Sequence, residues 1–436
     1  MDSGDAPVGR FTYRRPGLVC TDHTLAVPLD HGRPDGPRIS VFAREVVAPG
    51  KEDAELPWLL WLQGGPGGKA ERPISTSGWL KRALENYRVL LLDQRGTGRS
   101  TPANRQTLAR LGSPEAQASY LTYFRADAIV RDAELLRRYL LGDDGRWSIL
   151  GQSFGGFCAL TYLSFAPDGL REVLIAGGLP PLEAGPDDVY RATYPRVLHK
   201  NAAYFARYPA DQGLARRVVE HLRSHEVCLP GGERLTPRRF QTLGITFGGT
   251  LRFDTLHYLL EEAFVDGAGG PELSDGFLRG VDEIVSYAQR PLYAVLHEPI
   301  YCQGTASNWS AERVRTEFPQ FDVEADQPIR FVGEMIYPWF FEEDPALAPL
   351  RAAAERLACT DAWPALYDRD QLARNRVPCA AAVYFDDMFV DRNHALQTAE
   401  AVAGLRYWVT SEYEHDGIRA GPDVLDRLIA LARGRA

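Results

Sequence analysis

The sequence predicts an α/β fold, a mostly parallel sheet covered by helices and interrupted by a long helical insertion. Continuous apolar runs at 57–62, 88–93, 172–176 and 377–384, with a shorter one at 147–150, read as strands buried on both faces, the mark of a parallel sheet. Helical periodicity separates them at 78–86 and 127–141. From 184 to 376 the pattern turns helical, with aromatics interleaved and no buried-strand run. Two parts of one α/β core, residues 1–183 and 377–436, therefore flank a helical domain, 184–376.

The 436 residues, 45% hydrophobic and 25% charged, suffice for one large domain and a second. No stretch reaches the ~18 consecutive apolar residues of a membrane span. The start Met1-Asp2-Ser3-Gly4-Asp5 is acidic where a signal peptide is basic and then apolar, so an untargeted cytoplasmic protein is expected. The six cysteines lack C-x-x-C spacing, and Cys158 and Cys379 lie in apolar runs. Free buried thiols are expected, rather than disulfides or a metal site. A net charge of −9 without a basic stripe argues against a nucleic-acid partner. The pairs Arg14-Arg15 and Arg137-Arg138 read as solvated faces.

In chain order, 22–49 reads as an opening antiparallel hairpin: Thr24, Ala26 and Pro28 alternate up to the turn Asp30-His31-Gly32, and a β-branched run at 39–47 follows. The buried runs at 57–62 and 88–93 come next, with a helix between them. The helix at 127–141 places Ile129, Ala133, Leu136 and Leu140 on one face, with Arg131, Glu134 and Arg138 elsewhere. Within the insertion, helices are expected at 188–199, 214–225, 255–264, 286–297 and 347–359. After it come the strand at 377–384, a helix at 395–402, a strand at 405–410 and a last helix at 424–432.

Gly151-Gln152-Ser153-Phe154-Gly155 stands between an apolar β-like run and a helix-like run, the context of a nucleophile elbow. A turn tight enough to expose Ser153 Oγ strains the nucleophile, and a Cβ at Gly151 or Gly155 would collide with a neighbouring element. The motif alone is weak in a glycine-rich chain, so its partners decide. A serine nucleophile needs a base and an acid to orient that base. In α/β-hydrolases they follow in the order Ser, Asp or Glu, His. Of nine histidines only His394 and His415 lie beyond the strand that follows the insertion. His394 opens a helix directly after the acid loop, too near it to reach Ser153, which leaves His415 as base. Asp386, Asp387 and Asp391 compete as the acid; Asp387 is preferred, with Asp386 and Asp391 read as turn or helix-cap carboxylates. The oxyanion needs two N–H donors. Phe154 supplies one; the loop Gln63-Gly64-Gly65-Pro66-Gly67-Gly68 supplies the other from Gly65, since Pro66 has no N–H.

Together Gln63-Gly64-Gly65-Pro66-Gly67, Asp93-Gln94-Arg95-Gly96-Thr97-Gly98-Arg99-Ser100 and Gly151-Gln152-Ser153-Phe154-Gly155-Gly156 resemble the motifs of the proline iminopeptidases, α/β-hydrolases with a helical cap over the active site. The resemblance covers the chain and is strongest over 57–178 and 377–420. It places the family's acid on Asp387, at the end of Tyr384-Phe385-Asp386-Asp387, and its terminal histidine on His415. Family members often carry His at Gln63 and Trp at Phe154, and the cap here is longer than in compact members. In the family, cap carboxylates grip the substrate's free amino terminus; the matching positions are Glu298, in Leu296-His297-Glu298-Pro299, and Glu334, in Val332-Gly333-Glu334-Met335. An ammonium taken out of water and left unpaired costs about 3–5 kcal/mol. Asp93-Gln94-Arg95 reads as structural, with Arg95 bracing loops around the site.

The resemblance implies a serine aminopeptidase without cofactor or metal, releasing an N-terminal residue, preferentially proline, from a small peptide or amide with a free N-terminus. The alternative within the fold is a hydrolase of an ester or small amide metabolite. A silent binding protein is opposed by the intact Ser153, Asp387, His415 and glycine loop. Relatives with an aspartate nucleophile are disfavoured by serine at 153.

Overall fold

The computed structural model describes residues 10–249, 252–324 and 327–435. The acidic start of the chain lies outside them. Among the described residues nine strands form the main sheet: β1 (Arg10–Arg15), β2 (Leu18–Pro28), β3 (Arg38–Val47), β4 (Trp58–Leu62), β5 (Arg88–Asp93), β6 (Trp147–Gln152) and β7 (Leu170–Ala176), then two that follow the insertion. Within the insertion β8 (Phe264–Gly267) and β9 (Gly270–Leu273) make a separate antiparallel hairpin. The main sheet resumes with β10 (Cys379–Tyr384) and β11 (Leu405–Thr410). Its order is β1-β2-β3-β5-β4-β6-β7-β10-β11, antiparallel as far as β5 and parallel from β5 onward.

The inner parallel strands β4, β5, β6, β7 and β10 are largely buried on both faces, as their apolar runs require, whereas the edge strand β11 exposes Arg406, Tyr407 and Val409. Along β4, Leu60 and Leu62 enter the core on one side, and Leu59 and Trp61 the core on the other. Trp61 stacks on Trp79, with centroids 4.2 Å apart. The order β5-β4-β6 makes β4 a switch point: the chain goes to one side for β5 and to the other for β6. Crevices at the carboxyl ends of such strands are where open α/β sheets hold ligands. The carboxyl ends of β4, β6, β10 and β11 lead into the glycine loop, Ser153, the acid loop and the His415 turn respectively.

Helices from Pro186–Arg207 to Arg369–Ala373 fill most of the connection between β7 and β10; most pack in a core shared with Ala103, Leu108, Leu121 and Phe124, while Val189, Ile300 and Leu372 join the core of the sheet. Several boundaries differ from those read in the sequence. Of the helix expected at 286–297 only Pro291–Leu296 forms, because Ser286 is extended at ψ 134° and Pro291 opens a new helix; the helix Asp275–Val285 ends before that span and matches none of those expected. The one expected at 255–264 runs Arg252–Glu261, and Phe264 starts β8. β1 was not foreseen; its residues are largely exposed, so no apolar alternation marks it. Arg137 is not on a solvated face. Its side chain is buried, with Nε 2.9 Å from Glu134 Oε1 and Nη1 2.9 Å from the Asp143 carbonyl, closing the turn before β6. All six cysteines are free; Cys228 and Cys359 are exposed and the other four buried. Among the described residues no helix is long and apolar enough to cross a membrane.

Candidate active site

Ser153 stands between β6 and the helix Phe154–Phe165 at φ 54°, ψ −125°, a conformation costly for any residue with a Cβ. Glycine neighbours permit the turn. A Cβ on Gly151 would lie 2.4 Å from the Gly155 carbonyl oxygen, and one on Gly155 would lie 1.9 Å from that of Leu62. The glycine loop is pressed against the nucleophile, since a Cβ on Gly64 would meet Ser153 Cβ at 2.9 Å. Gln63 anchors this loop: its carbonyl accepts from Gln94 Nε2 at 2.9 Å, and its side chain accepts from Trp61 Nε1 at 3.1 Å. Phe154 is the first residue of its helix, so its N–H has no partner within the helix and lies at the positive end of the helix dipole.

His415 follows β11 and Asp387 follows β10. Imidazole Nδ1 lies 2.7 Å from Asp387 Oδ2, with both groups buried. The other carboxylate oxygen accepts from the N–H groups of Phe389 (2.8 Å) and Val390 (3.1 Å), which fixes the Asp387 rotamer. Burial favours neutral His415, but the charges of Asp387 and, behind it, Glu334 outweigh this and raise its pKa above 6.5. Asp391 instead caps the helix Arg392–Ala401, accepting from the N–H groups of Asn393 and His394. Asp386, half-buried in the same loop, makes no hydrogen bond or ion pair with His415 among the described residues. Ser153 and His415 line one cavity of about 360 Å³.

Arg95 is fully buried. It grips Asp132 with Nε at 2.7 Å and Nη2 at 2.6 Å, and donates to the carbonyls of Pro28, Leu29 and Tyr123. These bonds tie the chain after β2 and before the helix Ala126–Leu141 to the turn after β5. Asp93, equally buried, holds Arg72 and accepts from the N–H of Arg99.

The chain matches the family described as the alpha/beta hydrolase fold over residues 57–249. It is 50% identical over 423 residues to a proline iminopeptidase of Aeromonas sobria, covering 97% of this chain and 98% of that one. A second relative, the proline iminopeptidase aneH of Aspergillus aculeatus, is 38% identical over 98% of this chain and 97% of its own. The chain belongs to the proline iminopeptidase family of α/β-hydrolases.

The two glutamates that the proline iminopeptidase resemblance singles out are placed differently. Glu334 lines the cavity with Ser153 and His415, and it accepts the Tyr293 hydroxyl. Glu298 is buried outside the cavity lining. One oxygen accepts the Ala311 N–H at 2.9 Å; the other has no partner among the described residues, and burial raises the carboxyl pKa. Sequence reasoning missed Tyr293, Arg252, Glu283, Arg290 and Arg419 on the cavity wall. Arg252, Glu283 and Arg419 lie on different elements, and Arg290 with Tyr293 at the start of another, so they form no motif in the sequence.

Residues of the insertion also hold the loops around this site. Lys200 Nζ pairs with Glu414, next to His415, at 2.6 Å. Arg196 pairs with Asp391 at 3.0 Å, and the Gly248 carbonyl accepts the His415 N–H at 3.1 Å.

Proposed function

We propose that this protein is a serine aminopeptidase releasing N-terminal proline from peptides, with Ser153, His415 and Asp387 as its triad. The observation carrying this is the convergence on one cavity of Ser153, the Asp387-bound His415 and the carboxylate of Glu334. The full-length relatives named proline iminopeptidase support proline as the residue removed.

Ser153 Oγ attacks the carbonyl carbon of the N-terminal residue while His415 takes its proton, and Asp387 stabilises the imidazolium. Charge developing on the carbonyl oxygen is met by the N–H groups of Phe154 and Gly65. His415 returns the proton to the leaving nitrogen, the C–N bond breaks, and an acyl-Ser153 remains. Water, deprotonated by His415, then frees the residue. Glu334, oriented by Tyr293, pairs with the substrate ammonium. Glu298 adds negative charge from behind the cavity wall. Residues 184–376 act as a cap that excludes water from this chamber, with 1–183 and 377–436 as the core. Six free thiols fit a reducing, cytoplasmic setting.

A substrate comparison tests the assignment. Prolyl-p-nitroanilide should be cleaved efficiently, with N-acetylprolyl-p-nitroanilide and p-nitrophenyl acetate far behind. Comparable turnover of all three would favour a general esterase or amidase of the same fold.

A further inference from the structure

The cavity holding Ser153 carries cations on its wall as well as Glu334: Arg252, Arg290 and Arg419 all line it. Arg419 is engaged, with Nε 2.8 Å from Glu71 Oε1. Arg252 and Arg290 have no carboxylate partner among the described residues, although Glu283 lines the same cavity. The Arg290 guanidinium lies over the Tyr293 ring, 5.1 Å from its centroid. That stacking holds the cation in place and leaves its N–H edge free to meet a planar anion. The same Tyr293 donates its hydroxyl to Glu334. One rigid ring therefore carries a carboxylate on its hydroxyl and a guanidinium on its face.

A dipeptide presents the complementary pair. Its ammonium and terminal carboxylate are separated by two residues of chain, which span about 7 Å when extended. With the ammonium on Glu334 and the scissile carbonyl at Ser153, the leaving residue must occupy the rest of the same cavity, whose lining includes Arg252 and Arg290. We infer that Arg290 and Arg252 bind a carboxylate on the leaving residue, so that among proline-initiated substrates the enzyme prefers those whose second residue is anionic. This rests on the aminopeptidase assignment above. The carboxylate is either the C-terminus of a dipeptide or an acidic second side chain, since both present the same planar anion.

The test compares kcat/KM for Pro-Gly, Pro-Gly-amide and Pro-Asp-amide, with prolyl-p-nitroanilide as a control that carries no carboxylate. Both arginines are exposed, so each contributes modestly, and Pro-Gly is expected to exceed Pro-Gly-amide by about fivefold or more, chiefly through KM. The preference should fade by 1 M salt, where the screening length falls to about 3 Å. Arg290→Gln with Arg252→Gln should bring the ratio of acid to amide near one, and Arg290→Lys should keep part of it. Reading the ratio removes any general loss that the substitutions share across substrates. Preference for Pro-Gly alone supports the inference and identifies terminal carboxylates; a matching preference for Pro-Asp-amide supports it and adds acidic residues. Equal rates for all three in the wild type, or a preference that survives both substitutions, would overturn it. Failure on prolyl-p-nitroanilide would instead strike the aminopeptidase assignment.

Discussion

Asp387 and His415 meet at 2.7 Å although 28 residues separate them, because they leave the carboxyl ends of β10 and β11, which are paired in parallel. The register Tyr384↔Thr410 sets both loops off from the same level of the sheet. Asp387 is also held by two backbone N–H groups, so it has little freedom to choose another partner.

Asp387→Asn should therefore reduce kcat by about 10⁴-fold, because an amide in that place favours the wrong imidazole tautomer. Asp391→Ala should leave kcat within a few-fold and lower stability by about 1 kcal/mol through loss of a helix cap. Steady-state kinetics and thermal melts of the two variants check this, and the reverse pattern would move the acid to Asp391.

Ser153→Ala and Ser153→Gly should both lose about 10⁶-fold in kcat, the loss typical when one member of a cooperating triad is removed. Their stabilities should differ. At φ 54° glycine relieves backbone strain that alanine retains, so the glycine variant should be more stable than the alanine variant by about 1 kcal/mol. Chemical denaturation of the pair measures it.

The acidic limb of the kcat/KM profile should lie above pH 6.5, because a histidine with a raised pKa must lose its proton before it can act as base. Glu334 contributes to that rise, so Glu334→Gln should move the limb to lower pH. It should also raise KM for prolyl substrates, lowering kcat/KM by about 10²-fold, with a much smaller loss on an ester. An unshifted limb in this variant would place Glu334 too far from His415 to act on it.

Glu298→Gln should cost far less activity than Glu334→Gln, since a glutamine keeps the bond from Ala311 and the group lies outside the cavity lining. Its effect on stability should depend on pH. The folded state raises the carboxyl pKa above 4.5, so keeping Glu298 ionised weakens the fold progressively as pH rises past that value. The melting temperature of the variant relative to wild type should therefore climb between pH 4 and pH 7.

The sequence by itself determined the α/β-hydrolase core, because both-face burial leaves unbroken apolar runs, and it located the turn at Ser153, because only glycine tolerates such close backbone approach. Chain order selected His415 before any contact was known. Asp387 was selected over Asp391 through the family's motif and not through local pattern, since two aspartates four residues apart differ only in whether they face a histidine from another strand or a helix N-terminus. Nor could Glu298 and Glu334 be told apart, as both sit among apolar and aromatic neighbours. Only the tertiary structure put Glu334 in the cavity lining and buried Glu298 outside it. Arg252, Arg290 and Tyr293 were illegible for the same reason: a cavity wall is assembled from elements distant in the chain, and their spacing is set by the packing of the insertion over the sheet, through bonds such as Lys200 to Glu414.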